Sequence, residues 1–362
     1  MSEAAVAPVG RGGGAGPQDG APVCAALDLG TNNCRLLIAT PSAGGFRIID
    51  SFSRIVRLGE GLSESGRLGE AAMERAIGAL GVCADKIARR GVSRMRAVAT
   101  QACRSAANGA RFIGEVARRT GLRLAVIEPL EEAQLSVAGC LDLLDCGARA
   151  ALVLDVGGGS TELSWIDLTA PGLDVEPRRL AYWRLPIKAW LSAPIGVVTL
   201  AEWFPQSAAG DVAAWRAMVD EMKAHITAFA HADAFRETFA AGHAHMVGTS
   251  GAITSLAALH LGLARYDRAQ VDGLWMTRGQ CEAVADRLAA LTVAQRAAEP
   301  CIGEGRADLV LAGAAILQAV QEVWPCERVR VADRGLREGL LLSLMSQKRR
   351  GRARRPRAGR SA

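Results

Sequence analysis

The sequence contains no apolar run of about 18 residues, so it predicts no membrane-spanning helix and no membrane partner. Residues 1–21 also lack the basic start and apolar core of a secretory signal peptide, and their Gly, Ala and Pro content is typical of a disordered tail. We therefore expect a cytoplasmic protein. At roughly 150 residues per domain, a chain of 362 residues predicts two domains.

Cysteine pairs at metal-binding spacing are absent as well. The nine cysteines are an odd number and include no C-x-x-C pair, which argues against a disulfide framework and against a zinc site. Buried thiols in a reducing compartment are the simpler interpretation. The five histidines have no ligand partners at useful spacing, so we expect them at ordinary core or surface positions.

An excess of basic over acidic residues is confined to one segment. Residues 348–360 carry eight basic side chains and no acidic one, which exceeds the net charge of +6 for the whole chain, so the remainder is slightly acidic. Residues 347–362 are predicted to be a disordered basic tail, and two interpretations stay open: a solvated tail, or an arm that weakly attracts polyanions. No nucleic-acid-binding motif accompanies it, so a specific nucleic-acid partner is not expected.

One short pattern occurs twice. Residues 26–36 read ALDLGTNNCRL and residues 153–163 read VLDVGGGSTEL, each an apolar strand, an Asp and a glycine-containing turn. The residues after the glycines suit a returning strand rather than the helix of a dinucleotide-binding fold, and the P-loop signature is absent. Each copy therefore predicts a β-hairpin whose tip turns backbone N–H groups toward an anion. Two such tips can face each other across a cleft.

The hydrophobic periodicity predicts an α/β protein of two similar domains, residues 22–146 and 147–346, with a cleft between them. In the first half we expect a hairpin at 23–40, strands at 46–58, 94–100 and 122–128, and helices at 69–91, 105–121 and 130–144. In the second half we expect a hairpin at 151–168, strands near 178–185 and at 328–332, and a strand that runs into a glycine-rich helix start over 245–252. Helices are expected at 211–230, 252–261, 277–292, 306–323 and 335–346. The last helix is free to pack back on the first domain.

Six segments carry a family resemblance, in this order: ALDLGTNNCRLLIA, EEAQL followed by GC, LDVGGGSTEL, PIGVVTLAE, VGTSGAITSLA and ADRGLREGLL. Over about residues 23–345 the chain resembles the exopolyphosphatase / guanosine pentaphosphate phosphohydrolase (Ppx/GppA) family, in its short two-domain form. The resemblance implies two duplicated actin-like domains, related to sugar kinases, Hsp70 and ribonuclease H. It also implies Mg²⁺-dependent hydrolysis of polyphosphate or of guanosine pentaphosphate, with Mn²⁺ as an alternative metal. A homodimer is possible.

The second hairpin supplies most of the candidate site. Gly157, Gly158 and Gly159 let backbone N–H groups approach phosphate oxygens, and Ser160 and Thr161 add hydroxyl groups. Asp155 and Glu162 lie on either side of this turn, and the resemblance supports them as oxygen ligands of Mg²⁺. A capping role for Asp155 and a solvated strand position for Glu162 are the alternatives.

The first domain is expected to face this turn with further contacts. Thr31, Asn32 and Asn33 are candidate phosphate ligands, although the family usually has a small hydroxyl residue at the position of Asn33. The resemblance makes Arg104 a phosphate-binding arginine, for which a planar guanidinium is suited; an exposed surface arginine is the alternative.

The resemblance also makes Glu132 the base that accepts a proton from the attacking water. Its neighbour Glu131 is expected only to favour the helix N-terminus. Residues 247–251 (VGTSG) are either a contact for phosphates or a nucleotide, or merely a tight strand–helix junction. Arg337 and Glu338 are expected to form a structural pair.

An exopolyphosphatase is thus the leading functional interpretation, because no clear base-reading pocket is visible in the sequence. A guanosine pentaphosphate (pppGpp) 5′-phosphohydrolase is the close alternative, since both reactions use the same site. Two other classes remain open: an actin-like kinase or ATPase, and a non-catalytic sensor of polyphosphate or of guanosine tetra- or pentaphosphate.

Overall fold

The computed structural model describes residues 21–42, 45–145, 147–170, 184–206, 210–227 and 232–352. The strands are β1 (Cys24–Leu29), β2 (Asn33–Ser42), β3 (Gly45–Ile55), β4 (Arg94–Ala99), β5 (Ala125–Val126), β6 (Ala150–Val156), β7 (Thr161–Asp167), β8 (Ile187–Ala193), β9 (Ala244–Thr249), β10 (Trp275–Thr277) and β11 (Arg328–Ala332). The helices are α1 (Leu62–Ser65), α2 (Glu70–Arg89), α3 (Gln101–Ser105), α4 (Gly109–Thr120), α5 (Pro129–Cys140), α6 (Val197–Trp203), α7 (Val212–Thr227), α8 (Ala232–Ala240), α9 (Ser250–His260), α10 (Arg268–Val271), α11 (Arg278–Ala290), α12 (Val293–Ala297), α13 (Val310–Val323) and α14 (Leu336–Arg352).

The two halves repeat one sheet topology. The first sheet has the order β3-β2-β1-β4-β5, and the second has β8-β7-β6-β9-β11 with β10 added at its edge. In both sheets the first two strands form an antiparallel hairpin, while the first and fourth strands are parallel. The α/β class and the duplicated arrangement are therefore confirmed.

The sequence explains the central strands of both sheets. In β1 and β6 every residue before the aspartate is apolar, and nearly all are buried, as is typical of strands covered by helices on both faces. Helix α14 completes the cover of the first sheet: Leu340, Leu341 and Leu344 pack with Leu37 and Val98. The last helix thus lies on the first half of the protein, although its sequence follows the second half.

One expectation about element boundaries stays a prediction and one is wrong. The strand near 178–185 falls mostly outside the described residues; the third strand of the second sheet among the described residues is β8, paired with β7. Residues 347–352, expected in the disordered tail, belong instead to α14, which continues to Arg352. Lysine and arginine are good helix formers and are favourable at a helix C-terminus, so the basic residues extend the helix. The remainder of this tail, and the N-terminal tail up to residue 20, lie outside the described residues.

Across the described part of the chain, none of the helices has both the length and the apolar composition that crossing a bilayer requires.

Candidate active site

The two repeated turns have the same local geometry. Gly30 N donates to Asn33 O at 2.9 Å, and Gly157 N donates to Ser160 O at 2.9 Å, so each hairpin is closed by an equivalent hydrogen bond. The repeat is therefore present in the structure as well as in the sequence. Both hairpin tips line one cavity between the domains.

Close contact between the two turns explains the consecutive glycines. A methyl group on Gly158 would lie 3.0 Å from Thr31 Cβ, and one on Gly159 would lie 2.8 Å from Thr31 Oγ1. Neither glycine has a positive φ angle, so space rather than backbone freedom requires glycine here. The second turn can approach the first only because it lacks side chains.

Four carboxylates gather beside these turns. Asp28 is the next-to-last residue of β1, and Asp155 is the next-to-last residue of β6. Glu162 lies directly across the hairpin from Asp155, and Glu132 comes from α5. Ser136 Oγ donates to Asp155 Oδ2 at 2.5 Å, and Ser192 Oγ donates to Glu162 Oε1 at 2.9 Å. The predicted metal ligands, Asp155 and Glu162, are thus adjacent, and each is held by a serine from another element.

Burial raises the pKa of all four groups, because water no longer stabilises the charged form. The pKa of Asp28 rises to about 6 and that of Glu162 to about 7, with the negative charge of Asp155 as a further cause for both. The pKa of Glu132 lies well above its usual value through burial and the charge of Glu162. The pKa of Asp155 is raised by burial and lowered in part by Ser136. The cluster therefore carries more carboxylates than its surroundings compensate.

This excess predicts a pH effect on the metal-free protein. Asp28 titrates in the folded state at about 6 instead of its ordinary 3.8, so the folded protein binds more protons between these values than the unfolded chain. The stability of the wild type relative to Asp28→Asn should fall as the pH rises from about 4 to about 6, by on the order of 2–3 kcal/mol, and then level off. Thermal melts of both proteins in EDTA measure it. If the stability difference between the two proteins does not change with pH, the raised pKa of Asp28 is contradicted.

Arg104 contacts the predicted base. Its Nη1 donates to Glu132 Oε2 at 3.2 Å and to Ile127 O at 2.6 Å, and its Nη2 donates to Gln101 Oε1 at 2.7 Å. The guanidinium therefore orients Glu132. Glu131 points elsewhere and pairs with Arg96, which agrees with a structural role for it.

The Thr161 hydroxyl group, predicted to contact phosphate, does not face the cavity. Its side chain is fully buried, and its Oγ1 donates to Ile195 O at 2.7 Å. Side chains alternate along a strand, so Thr161 points away from the cavity when Glu162 points into it. Ser160, one residue earlier in the turn, does line the cavity.

Thr161→Val should consequently destabilise the protein by about 1–2 kcal/mol, because Ile195 O loses its buried donor, while KM stays unchanged. Ser160→Ala should differ by raising KM, because Ser160 lines the cavity. Chemical denaturation and steady-state kinetics of both variants test the distinction. A raised KM for Thr161→Val would restore its role in binding.

The first turn lies as predicted. Thr31, Asn32 and Asn33 all line the cavity. Asn32 is buried, and its Oδ1 has no hydrogen-bond partner among the described residues. An unpaired buried oxygen at the cavity wall is costly unless it meets a ligand or water, which agrees with a binding role.

Three basic residues of the cavity were not predicted. Arg35, Arg306 and Arg337 line the same cavity, and a methyl group on Gly251 would lie 3.3 Å from Arg35 Nη2. Arg35 is paired across the hairpin with Asp28, as Glu162 is with Asp155, so alignment of the two repeats could have found it. Arg306 and Arg337 come from distant segments and give no local signal.

The pair expected between Arg337 and Glu338 is absent. Glu338 Oε1 accepts from Arg268 Nη2 at 3.3 Å and its Oε2 accepts from Gly335 N at 2.9 Å, while Arg337 turns into the cavity. Adjacent residues on a helix point about 100° apart, so they cannot readily form one contact. The VGTSG segment is more than a junction, since Thr249, Ser250 and Gly251 also line the cavity.

The donor set fits a hard divalent cation. Asp155 and Glu162 offer carboxylate oxygens in a cluster with uncompensated negative charge. No three acidic, histidine or cysteine side chains converge as a complete cage anywhere in the described ranges. Mg²⁺ suits this arrangement, because it binds through one or two carboxylates and takes its other ligands from water and phosphate.

Comparisons with known proteins agree with this geometry. The chain is 30% identical to exopolyphosphatase 2 of Mycobacterium tuberculosis over 336 residues, covering 88% of this chain and 98% of that protein. It is also 30% identical to guanosine-5′-triphosphate,3′-diphosphate pyrophosphatase of Aeromonas hydrophila over 325 residues, covering 90% of this chain but 60% of the longer relative.

The fold is also similar to that of solved structures. The crystal structure of the Aquifex aeolicus Ppx/GppA family member has a TM-score of 0.70 at 28% identity, covering 90% of this chain and 98% of that one. An exopolyphosphatase structure from Cytophaga hutchinsonii has a TM-score of 0.78 at 21% identity, covering 90% of this chain and 98% of that one, and supports the fold. Residues 37–348 match the Ppx/GppA phosphatase family. The chain therefore belongs to the Ppx/GppA phosphatase family.

Proposed function

We propose that this protein is an exopolyphosphatase, which hydrolyses the terminal phosphoanhydride of inorganic polyphosphate and releases orthophosphate. The observation that carries the proposal is a single cavity that contains the carboxylates, the glycine-rich turn and three arginines, Arg35, Arg306 and Arg337. Arg35 and Arg337 lie close enough to Asp28 to oppose the rise of its pKa. A linear polyanion fits this arrangement, because carboxylates can hold a divalent cation for its terminal phosphate while arginines bind phosphate oxygens.

The residues of the site have separate roles in hydrolysis. Backbone N–H groups of Gly158 and Gly159, with Ser160, hold the terminal phosphate, while Glu132 takes a proton from a water at its Oε1, the oxygen not bonded to Arg104. The water oxygen forms a bond to phosphorus as the bridging P–O bond breaks, and the shortened polyphosphate leaves with the bridging oxygen.

Asp155 and Glu162 would hold Mg²⁺, or Mn²⁺, whose charge would neutralise the phosphoryl oxygens. The same charge would compensate Glu162, whose carboxylate is one cause of the raised pKa of Glu132. It would therefore lower the pKa of Glu132 and favour its action as a base. Arg104 keeps the Glu132 carboxyl in one orientation throughout.

A pppGpp 5′-phosphohydrolase is the second candidate, favoured by the name of the Aeromonas hydrophila relative. The cavity wall argues for polyphosphate, since no aromatic ring lines it within the described part of the chain and a guanine base has no ring to stack on. We also infer a cytoplasmic location, which the eight described cysteines support, because all are buried and none of them forms a disulfide.

The test is phosphate release from long polyphosphate, short polyphosphate and pppGpp, measured side by side with Mg²⁺ and with EDTA. Release from polyphosphate that needs Mg²⁺ supports the proposal. Release mainly from pppGpp would overturn it in favour of the second candidate and a role in stringent-response metabolism. Binding without release would indicate a sensor, and transfer of phosphate to an added acceptor would indicate a kinase.

A further inference from the structure

Two carboxylates of the second domain contact one loop of the first. Asp308 forms a two-point ion pair with Arg57, at 2.9 Å from Nη1 to Oδ2 and 3.1 Å from Nη2 to Oδ1. Glu202 accepts from Gly61 N at 2.8 Å and from Ser63 Oγ at 2.6 Å. We call these five residues, Arg57, Gly61, Ser63, Glu202 and Asp308, the interdomain clasp.

The loop of the first domain that carries clasp residues also hydrogen-bonds to the first hairpin turn, residues 30–33. Gly59 N donates to Thr31 O at 2.9 Å, and Arg57 N donates to Asn32 O at 3.0 Å. Arg75 of α2 fixes the loop from behind, with Nη2 at 2.6 Å from Glu60 Oε2. A displacement of this loop therefore moves the carbonyl groups of the turn.

On the second-domain side, helix α6 connects the clasp to the glycine turn. Val197 N donates to Gly157 O at 3.0 Å and Val198 N donates to Gly158 O at 2.8 Å, while Glu202 lies near the other end of the same helix. The backbone of Gly196 packs on the turn so closely that a methyl group there would lie 2.4 Å from the carbonyl carbon of Gly158. Helix α6 thus contacts both the glycine turn and the loop of the first domain.

We propose that the interdomain clasp positions the two hairpin turns, residues 30–33 and 157–160, against each other. The clasp residues are therefore positioning residues for the reaction. The clasp lies outside the cavity of the carboxylates and touches no reacting atom. Its ion pair is partly exposed, with Arg57 at 36% and Asp308 at 35% of full side-chain exposure. Exposed pairs are weak, so the clasp can open for substrate to enter and close again around it.

The backbone of Arg57 supports this role. Its φ angle is 47°, in the left-handed region that residues other than glycine seldom adopt. Its backbone N–H is bonded to the first turn while its side chain is bonded to the second domain. The residue is therefore held from both domains at once.

The kinetic part of the test rests on the proposed function. Glu202→Ala and Asp308→Asn should each raise KM for polyphosphate about two- to fivefold, and the double variant about tenfold, with kcat changed less than about twofold, because bound substrate recloses the domains. Glu64→Gln is the matched control: Glu64 is exposed beside Ser63 and has no hydrogen bond to any described residue of the second domain. Its KM should equal that of the wild type.

A reciprocal exchange separates positioning from mere folding. Arg57→Asp alone should raise KM. Combining Arg57→Asp with Asp308→Arg should reverse at least half of that increase in KM, since the ion pair is rebuilt with its charges exchanged. Small-angle X-ray scattering of the substrate-free proteins should show a larger radius of gyration for the Glu202→Ala, Asp308→Asn double variant than for Glu64→Gln.

The outcomes are distinct. Unchanged KM and unchanged scattering in the double variant would overturn the clasp, as would a loss confined to kcat. If the wild type releases phosphate from no substrate, the proposed function fails. The scattering comparison then still decides whether the clasp holds the domains together.

Discussion

Glu132→Gln should lower kcat for phosphate release by about 10²–10⁴-fold while substrate binding is retained. The substituted amide keeps the shape of the side chain and can still contact Arg104, but it cannot accept a proton from water. Glu132 is buried at the cavity wall and is oriented by Arg104 Nη1 at 3.2 Å, so no other carboxylate is held in the same position. Single-turnover phosphate release and equilibrium binding of polyphosphate measure the two properties separately.

The matched control for this experiment is Glu131→Gln. Glu131 is the preceding residue of the same helix, but it pairs with Arg96 and does not line the cavity. Its kcat should stay within about threefold of the wild type, since its ion pair is partly exposed and lies away from the cavity. Equal losses in the two variants would show that the substitution disturbs the helix rather than the chemistry, and near-normal turnover in Glu132→Gln would remove Glu132 from the mechanism.

Asp155→Asn should reduce kcat/KM at saturating Mg²⁺ by at least about 10²-fold and should weaken the binding of Mg²⁺ and Mn²⁺. The same substitution should raise the melting temperature of the metal-free protein, because one buried negative charge is removed from beside Glu162. This opposite change in stability and activity distinguishes a functional charge cluster from a structural one. Isothermal titration calorimetry and thermal melts in EDTA provide the measurements.

Asp167→Asn is the control for metal binding. It lies at the far end of the same hairpin, where it accepts from Thr169 and pairs with Lys188. Its metal affinity should match that of the wild type. Full metal affinity in Asp155→Asn would contradict the assignment of Asp155 as a ligand, and a lower metal-free melting temperature would contradict the excess of buried charge.

Local sequence predicted the elements that carry the site. The β-branched and apolar residues after each glycine turn favoured a hairpin over a helix, and the structure has a hairpin at both places. Glu131 and Glu132 were expected in the first turn of one helix, where they lie. These features depend on residues near each other in the chain, and short-range periodicity is sufficient for them.

The predictions for single residues failed where the direction of a side chain, rather than its place in the sequence, determines its contacts. Thr161 has the residue type of a phosphate ligand, but strand alternation turns its hydroxyl to Ile195 O. Arg337 was expected to pair with its neighbour, although helix geometry separates them and Glu338 contacts Arg268 instead. Arg35 lies beyond the first turn, and its pairing with Asp28 across the hairpin places it at the cavity.

By itself, the sequence determined the α/β class, the internal duplication, the family and most of the residues at the two turns, because repeated motifs and hydrophobic periodicity are local properties. Only the tertiary structure decided which side chains meet. It brought Arg306 and Arg337 to the cavity, placed Arg104 on Glu132, and joined Glu202 and Asp308 to a loop far away in the chain. Such contacts depend on how two sheets are oriented across a cleft, and no short-range pattern records that orientation.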